Sequence, residues 1–511
     1  MTYRGIFGWA LFFGVFFSLP ILAQQQTEER PALQHHHRGF ALLQQNRLDE
    51  AIAEYQKALA LEPTLGAAHA ELALVFALKG DWAAAEASLE KAFQFDPNNP
   101  GIFVTAAIIH SLKGEDDKVI EDYKRAIALD PQQLDAHLNL GNAYLRRGKL
   151  ALALSHFDAV LRQNPQDVLA QQGSCVAYTQ AGALDTARRA CTRARELDPG
   201  VLERLKDEAY RTYKSGNLEA ALVRGQAATL ADPTDADAWD QYGSLLGMAN
   251  RYEEAIEQRR RALALKPDFA RAHNNLGYAL RQVGKLDEAI QEYETAIRLR
   301  PDYSLAHHNL GEAYLEKNDY PRAQDAFQHA IRIEPDYVQA KNDLAEAHAQ
   351  WGLSLVVQDR FTEAEKHFNE SLQSGEVASA YAGLCWVRLH SRSLAEARQA
   401  GDKAIGLDPN HAEGYGCHAA LHYEEGDLQR AVADWQKAVS LDGENADLWM
   451  GLALGRLATG QKEEALEAYR NAVRFKPQYA DRDALTQKGR VLWSQLLLKP
   501  ALDLLELAKR E

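Results

Sequence analysis

Four stretches of the sequence contain residue types that could bind a metal ion or a phosphate group. His35, His36 and His37 are consecutive, but neighbours on a helix diverge by about 100° and cannot converge on one ion. The segment GYGCHA from Gly414 matches a dinucleotide-binding pattern, but it lies in a helical segment and follows no strand. GNAYLRRGK and GYALRQVGK resemble a phosphate loop but place six residues between the glycines, where four are needed. We therefore predict no catalytic residue, no metal site and no cofactor.

A different kind of chemistry is suggested by amide side chains in a recurring phrase. HNNLGYAL begins at His273, HHNLGEAY follows 34 residues later at His307, and HLNLGNAY stands earlier at His137. An amide both donates and accepts hydrogen bonds, so it can bind a peptide backbone of any sequence. The candidate peptide-binding residues are Asn139, Asn142, Asn274, Asn275, His308, Asn309 and Asn342.

The elements that position these side chains repeat with a fixed period. Eleven of the sixteen prolines mark one position: the series runs from Pro63 to Pro335 in steps of 34 and resumes at Pro409 and Pro477. When this proline is numbered position 32, thirteen repeats fill residues 32–479. A period of this length indicates an array of supersecondary units.

Each repeat has the pattern of two helices. Position 20 is alanine in twelve repeats and position 27 in eleven, and position 8 is always Gly, Ala or Cys, so the helices can approach closely. Position 15 is Gly or Asn in eleven repeats, and these residues accept the left-handed conformation that ends a helix. Proline at position 32 then ends the second helix.

This pattern resembles the tetratricopeptide repeat. The repeat that contains the first quoted phrase carries the matching residues Leu276, Gly277, Ala289, Tyr293, Ala296 and Pro301. The resemblance implies an all-α fold, a right-handed superhelix (α-solenoid) of about 13 helix-turn-helix repeats with a concave groove and a C-terminal capping helix.

In this family positions 2, 5, 6, 9, 12 and 13 of the first helix face the groove, so the resemblance sends Asn274 and Asn275 into it. The arrangement is similar to the asparagine ladder of the O-GlcNAc transferase superhelix, which grips an extended peptide. Alternatively, the asparagines are tolerated surface residues copied by duplication, since their helix penalty is only about half a kcal/mol. If the ladder is used, Asn275→Ala with Asn309→Ala should weaken partner binding and leave the melting temperature nearly unchanged.

The sequence also departs from two members of the wider family. After the repeats the chain continues with one helical stretch, which favours a terminal cap over a dimerisation helix and leaves no catalytic domain. The carboxylate clamp of chaperone-binding repeats needs an asparagine where Tyr210 follows Lys206, and the next repeat offers Gln241. We therefore do not expect capture of a C-terminal carboxylate.

The N-terminus has the pattern of an export signal. Arg4 precedes an uncharged apolar run from Gly5 to Ala23, and cleavage after Ala23 is our preferred interpretation. Ile21 stands where a small residue is usual, so an uncleaved membrane anchor is the alternative. Both place the repeats outside the cytoplasm, in the periplasm or outside the cell. The net charge of −15 argues against nucleic acid as a partner.

The four cysteines admit two interpretations. Cys175 and Cys191 occupy positions 8 and 24 of one repeat, on facing helices, so a disulfide is conceivable, and Cys385 and Cys417 fall in adjacent repeats. We favour small packing residues, because helical arrays do not need the covalent links of small secreted domains.

The period is interrupted once. Pro335 and Pro409 are 74 residues apart where two repeats would give 68, and alignment places seven extra residues near Val338 to Leu344. Two helical turns span about 7.2 residues, so this insertion predicts one continuous helix from Val338 to about Val357. It should change the direction of the superhelix or offer a ledge for a partner.

These observations predict the domain organisation: a signal or anchor at residues 1–23, a linker at 24–31, repeats 1–9 at 32–337, the long helix and repeats 10–13 at 338–479, and capping helices at 480–511. The predicted function is an exported, non-enzymatic scaffold that binds protein or peptide partners in its groove. The alternative is an accessory subunit of an exported enzyme or of an envelope or glycan assembly system, with a membrane contact only if the N-terminus is uncleaved.

Overall fold

A computed structural model describes residues 30–483, 485 and 495–509, so the predicted signal segment lies outside the described residues. Within the described ranges the regular structure is entirely helical, with 27 α-helices and one short 3-10 helix. The chain divides into two compact units, the first ending at Leu265 and the second beginning at Lys266. The all-α fold of paired helices predicted from the sequence is confirmed.

The first unit contains seven helical hairpins, each a first helix followed by an antiparallel second helix. Their helices are α1 Pro31–Gln44, α2 Leu48–Leu61, α3 Gly66–Lys79, α4 Trp82–Phe95, α5 Pro100–Lys113, α6 Asp116–Leu129, α7 Leu134–Arg146, α8 Leu150–Gln163, α9 Val168–Gln180, α10 Leu184–Leu197, α11 Val201–Lys214, α12 Leu218–Ala231, α13 Ala236–Met248 and α14 Tyr252–Leu265.

The second unit contains six hairpins and a terminal helix. Its elements are α15 Ala270–Gln282, α16 Leu286–Leu299, α17 Ser304–Glu316, α18 Tyr320–Ile333, α19 Val338–Val356, α20 Phe361–Ser374, α21 Ala378–His390, α22 Leu394–Leu407, α23 Ala412–Glu424, α24 Leu428–Leu441, α25 Ala446–Ala458, α26 Lys462–Phe475, the 3-10 helix Pro477–Ala480 and α27 Gln495–Ala508.

A residue in the left-handed conformation lies between the two helices of every hairpin. Eight glycines and three asparagines have positive φ at position 15, as the sequence pattern predicts. The other two repeats place Asp359 (φ 64°) and Arg392 (φ 60°) there. This conformation brings the backbone N–H groups after the first helix back to its last carbonyls, which ends the helix and reverses the chain.

The two helices of a hairpin pack closely because position 8 is small. A Cβ added to Gly277 would lie 2.7 Å from a ring carbon of Tyr293, and one added to Gly311 would lie 2.6 Å from Phe327. Both rings are fully buried, and both belong to position 24 of the second helix. A glycine on one helix thus accommodates an aromatic ring from the other, and this pairing fixes the hairpin.

Our favoured interpretation of the cysteines is wrong, because all four are paired. Cys175 bonds to Cys191 across one hairpin, with a Cα–Cα distance of 4.7 Å, and Cys385 bonds to Cys417 between the first helices α21 and α23 at 6.3 Å. The small size of cysteine allows the close helix contact, and the same closeness brings two sulfur atoms within bonding reach.

The long helix predicted at the break in the period is present. α19 has 19 residues, whereas the other first helices have 13 or 14. Leu344 is buried, and Trp351, seven residues later, packs half-buried against the core. The insertion of about two turns therefore keeps both side chains on the core side of the helix.

After the last hairpin, α27 packs on α25 and α26 and buries Ala501, Leu504 and Leu505. It covers an apolar surface that a further repeat would otherwise cover. Among the described residues, none of the helices has the length and apolar character needed to cross a membrane.

Candidate functional site

The candidate site is one face of the first helices. We call it the first-helix face and define it as positions 2, 5, 6, 9, 12 and 13 of each first helix. Two of the predicted peptide-binding residues are in the first unit and five in the second, and six of the seven lie at such repeat positions. Asn342 lies in the inserted segment at the start of α19, where counting from Val338 makes it position 5. Asn274 and Asn275 lie on α15, His308 and Asn309 on α17, and Asn342 on α19.

Two of the asparagines bond to each other between adjacent repeats. Asn309 Nδ2 donates to Asn274 Oδ1 at 2.9 Å, and the side chains are only 6% and 2% exposed. Asn274 Nδ2 in turn lies 3.4 Å from Oδ1 of the half-buried Asn275. The amides therefore link α15 to α17, which is a structural role that neither sequence interpretation anticipated.

The burial of Asn309 changes the expected effect of its substitution. Asn309→Ala would remove the donor to a buried carbonyl oxygen, which costs about 1–3 kcal/mol. We therefore no longer expect an unchanged melting temperature for a variant that includes this substitution. Asn275→Ala alone is the better probe of peptide binding.

The next pair of first helices, α17 and α19, is linked by a bond with the same spacing in sequence. His308 is 2% exposed, and its Nε2 lies 2.6 Å from Asp343 Oδ2 on α19. An ionised carboxylate can only accept, so Nε2 carries the proton. The spacing of 35 residues equals that of the asparagine pair, so position 5 of one repeat bonds to position 6 of the next helix in both.

Arg281 extends this network on the same face. Its Nη2 donates to Glu312 Oε1 at 3.1 Å, and its Nε lies 2.8 Å from Glu316 Oε1. Because this guanidinium neutralises Glu312, the nearby group of His308, Glu312 and Asp343 is poorly suited to a cation. It is better described as a network of ion pairs and hydrogen bonds that stiffens α15, α17 and α19.

The helices that carry this network also carry exposed apolar side chains, which the sequence pattern did not single out. Tyr278 at position 9 of α15 is 41% exposed, and Leu305 at position 2 of α17 is 40% exposed. The Arg281 guanidinium lies 6.0 Å from the centre of the Tyr278 ring. Exposed large apolar residues at these face positions are the signal that could have identified them.

The remaining predicted residues lie on α19 and, in the first unit, on α7. Asn342 is exposed on α19. In the first unit, Asn142 is half-buried on α7, and Asn139 is 3% exposed with an Oδ1 that accepts no hydrogen bond from the described residues. The structure therefore assembles Asn274, Asn275, His308 and Asn309 within the second unit. Peptide binding by these residues stays a prediction.

Carboxyl groups on the face of the first unit are affected by burial. Burial raises the pKa of Glu71 on α3 to about 7, and a hydrogen bond from Thr105 opposes the shift. Burial, followed by the charge of Asp167, raises the pKa of Asp135 on α7 to about 6. The charge on this part of the face consequently varies between mildly acidic and neutral pH.

Lys206 does not offer a free cation to a partner. Its Nζ lies 2.7 Å from Glu203 Oε1, 3.3 Å from Asp235 Oδ2 and 3.2 Å from Asp237 Oδ2, and the residue is 7% exposed. Three carboxylates surround the ammonium group, which fits the expectation that no carboxylate clamp forms here.

Models of one repeat family match several segments of the chain between residues 39 and 480. A model described as TPR repeat matches residues 39–80, 109–148, 249–284 and 277–318. Two further models described as tetratricopeptide repeat match residues 134–167 and 304–337, and residues 350–412 and 418–480. Together the matches cover more than half of the chain.

Two relatives match shorter segments. The Hsp70-Hsp90 organizing protein of Triticum aestivum is 30% identical over 149 residues, which is 28% of this chain and 23% of the relative. The tetratricopeptide repeat-containing protein trd-1 of Caenorhabditis elegans is 26% identical over 137 residues, 26% of this chain and 18% of the relative. The chain thus spans less than a quarter of either relative.

Solved structures with some likeness include MamA, at 28% identity over 32% of this chain and 95% of MamA, with a TM-score of 0.26. PilF of Pseudomonas aeruginosa is 22% identical over 42% of this chain and 94% of PilF, with a TM-score of 0.33. The Cut9–Hcn1 heterotetramer of APC/C is 14% identical over 93% of this chain and 96% of the matched chain, with a TM-score of 0.36.

The sequence and the structure agree with the family models. The described residues form thirteen hairpins, with a left-handed residue in each turn, glycine-to-aromatic packing and a proline period of 34. The chain belongs to the tetratricopeptide repeat family, whose repeats form scaffolds for protein–protein interaction.

Proposed function

We propose that this protein is an exported, non-enzymatic scaffold that binds an extended segment of a partner protein along the first-helix face. The observation that carries the proposal is that Tyr278 and Leu305 are exposed on α15 and α17, consecutive first helices that the polar network links. Exposed aromatic and aliphatic anchors beside an ordered polar surface are the usual composition of an interaction site.

The spacing of the helices suits an extended chain. Packed helices are about 8–10 Å apart, and side chains two residues apart in an extended chain project to the same side, about 7 Å apart. Alternate side chains of a bound segment could therefore meet Tyr278 and Leu305 in consecutive repeats. The half-buried Asn275 lies on the same helix as Tyr278, and an amide that already makes a hydrogen bond still has further donor and acceptor capacity for the segment's backbone.

A photo-crosslinking experiment tests this binding face. A photoreactive amino acid at Tyr278 in the full-length protein should crosslink to a protein partner. The matched control is Leu299, which belongs to the same repeat and is 39% exposed, but lies at the end of the second helix. Equal crosslinking at the two positions would contradict a specific role of the first-helix face.

The crosslinked segment then provides a quantitative test. A synthetic peptide of that segment should bind the protein, and Tyr278→Ala should weaken binding about tenfold or more, because truncating a central aromatic anchor costs about 2 kcal/mol. Asn275→Ala should weaken binding by a smaller factor. If neither substitution alters the affinity, peptide binding on this face is wrong.

Two features support the proposal of export. The N-terminal apolar run from Gly5 to Ala23 has the composition of a signal segment. The four cysteines all lie within bonding distance of a partner, and disulfides persist mainly in oxidising compartments. Alkylation of intact cells followed by non-reducing electrophoresis should find the four thiols blocked, whereas free thiols would contradict export.

A membrane-attached accessory subunit remains the second candidate, favoured by Ile21 at the expected cleavage site. Fractionation without detergent separates the two. A protein cleaved after Ala23 appears in the soluble fraction and begins at Gln24, whereas an anchored protein stays with membranes and keeps residues 5–23.

A further inference from the structure

A cluster of two histidines and a glutamate lies between α19 and α20, in the repeat that contains the long helix. His348 belongs to α19, and His367 and Glu370 lie one turn apart on α20. The sequence separates the two histidines by 19 residues, but the antiparallel packing of the hairpin brings their rings together. This cluster does not lie on the first-helix face of our proposed function.

The three side chains direct one atom each toward a common point. His348 Nδ1 and His367 Nδ1 are 3.3 Å apart. Glu370 Oε2 lies 3.4 Å from His348 Nδ1 and 2.9 Å from His367 Nδ1. Ligands bonded to one ion at about 2.1 Å are about 3.0 Å apart at an octahedral edge and about 3.4 Å apart at a tetrahedral edge.

Hydrogen bonds among these three atoms pair them less completely than a bound cation would. A proton on His367 Nδ1 can be donated to Glu370, but His348 Nδ1 then faces the same proton at a longer distance. If a proton sits on His348 instead, His367 Nδ1 and Glu370 compete to accept it. A divalent cation can accept a lone pair from all three atoms at once.

The surroundings fix the two imidazoles in place. His348 is 4% exposed and His367 is 8% exposed. The Trp351 ring stacks on His367 with a centroid distance of 3.8 Å and an interplanar angle of 21°. Rings held by packing cannot rotate freely, so the ligand geometry is formed in advance of binding.

The electrostatics also suit a cation. His348 Nδ1 and His367 Nδ1 lie 3.4 Å and 2.9 Å from Glu370 Oε2, so the carboxylate charge faces both imidazole rings. The side chain of Lys366, which is 70% exposed, lies 3.7 Å from the other carboxylate oxygen, Oε1. Glu370 Oε2 remains directed at the histidines.

We propose that His348, His367 and Glu370 bind a divalent transition-metal ion of the Zn²⁺ class between α19 and α20. Two imidazole nitrogens and one carboxylate oxygen are a ligand set for zinc and its neighbours in the first transition series, and not for Ca²⁺ or Mg²⁺. The glutamate side chain is 30% exposed, so water can complete the coordination from that side. The ion would clamp the two helices of this repeat together.

The test measures Zn²⁺ bound by the full-length protein after removal of metals with a chelator. Equilibrium dialysis against low micromolar Zn²⁺, followed by elemental analysis, should find one more tightly bound ion in the wild type than in Glu370→Gln or His367→Gln. Each variant should weaken binding by more than the roughly 10–100-fold that loss of an outer hydrogen-bond partner causes. Co²⁺ should give a visible absorption band that the same variants lose.

His156→Gln is the matched control. His137 and His156 occupy the same two repeat positions as His348 and His367, with Nδ1 atoms 2.9 Å apart, but no carboxylate joins them. This variant should keep the wild-type zinc stoichiometry, which separates the proposed site from binding by the protein's other histidines. Circular dichroism with chelator present should show that Glu370→Gln is folded. Equal stoichiometry in the wild type and Glu370→Gln, or no bound zinc in the wild type, would overturn the proposal.

Discussion

The fourth and tenth repeats place histidines at the same two positions and use them differently. In the fourth repeat, His137 Nε2 donates to the carbonyl of Pro131 at 3.1 Å, which leaves Nδ1 as an acceptor for a proton on His156 Nδ1. In the tenth repeat, Glu370 lies one turn beyond His367 and joins both Nδ1 atoms.

One residue that differs between the two repeats, and that supplies the carboxylate, is at position 26. It is Ala159 in the fourth repeat and Glu370 in the tenth. Both pairs of histidines are carried by hairpins with the same glycine-to-phenylalanine packing, Gly141 against Phe157 in one repeat and Gly352 against Phe368 in the other. A scaffold built for packing can thus become a candidate ion site through one side chain, while the packing itself remains unchanged.

The largest losses of stability are expected from substitutions in the glycine-to-phenylalanine packing that both repeats share. Gly141→Leu and Gly352→Leu should each destabilise the protein by about 3 kcal/mol, because a Cβ at these sites would already lie 2.6 Å and 2.5 Å from a buried phenylalanine ring. Chemical denaturation measures the loss. Gly406→Leu is the control, since nothing lies within 4 Å of a Cβ there. A clear difference between the first two variants would show that the two hairpins are packed differently.

A gain of binding would sharpen the comparison. Ala159→Glu should give the fourth repeat the same three ligands as the tenth, and the number of tightly bound Zn²⁺ ions should rise by one. The added carboxylate would lie one turn beyond His156, on the half-exposed side of α8. Combining it with His156→Gln should return the stoichiometry to that of the wild type. No added ion in Ala159→Glu would mean that the orientation of the rings, and not position 26, decides binding.

The hydrogen-bonded pair His137 and His156 predicts that the stability of the protein depends on pH. Burial, followed by the charges of His137 and Lys124, lowers the pKa of His156 from 6.5 to about 4. Between these values the unfolded state binds a proton that the folded state does not, so stability falls as pH decreases from 6.5 to 4. After allowance for partial exposure, the loss should be about 1–2 kcal/mol. Denaturation at several pH values should show a flatter profile for His156→Gln, and an unchanged profile would contradict this assignment.

The smallest change in stability is expected from substitutions at position 15, in the turn of each hairpin. Position 15 is Gly148 in the fourth repeat, with φ 68°, and Asp359 in the tenth, with φ 64°. Because aspartate tolerates this conformation less well than glycine, Asp359→Gly should stabilise the protein by less than about 1 kcal/mol, and Gly148→Asp should destabilise it by a similar amount. Thermal melts of both variants measure the two shifts, and shifts of the same sign would contradict the shared role of position 15.

Local patterns in the sequence determined the repeat architecture. Proline at position 32, a left-handed residue at position 15 and small residues at positions 8, 20 and 27 act over a few residues or across one hairpin, so their spacing is visible in one dimension. The long helix α19 followed from the same logic, because an insertion of about two turns preserves the apolar side of a helix.

Contacts between helices were decided only by the tertiary structure. The sequence placed Asn274 and Asn309 on one face, but the angle and separation of α15 and α17 determine that their amides bond to each other. The distance between two helices likewise determined that the cysteines pair, although their small size was equally consistent with packing.

The cluster of His348, His367 and Glu370 also depends partly on the sequence and partly on the tertiary structure. Positions 4, 23 and 26 can be counted in the sequence, and they place His348, His367 and Glu370 on facing sides of two antiparallel helices. Whether three such atoms meet depends on helix separation and on the rotamers that Trp351 and the surrounding core permit. These are distances of a few ångströms set by packing between helices, and a linear pattern carries no information at that scale.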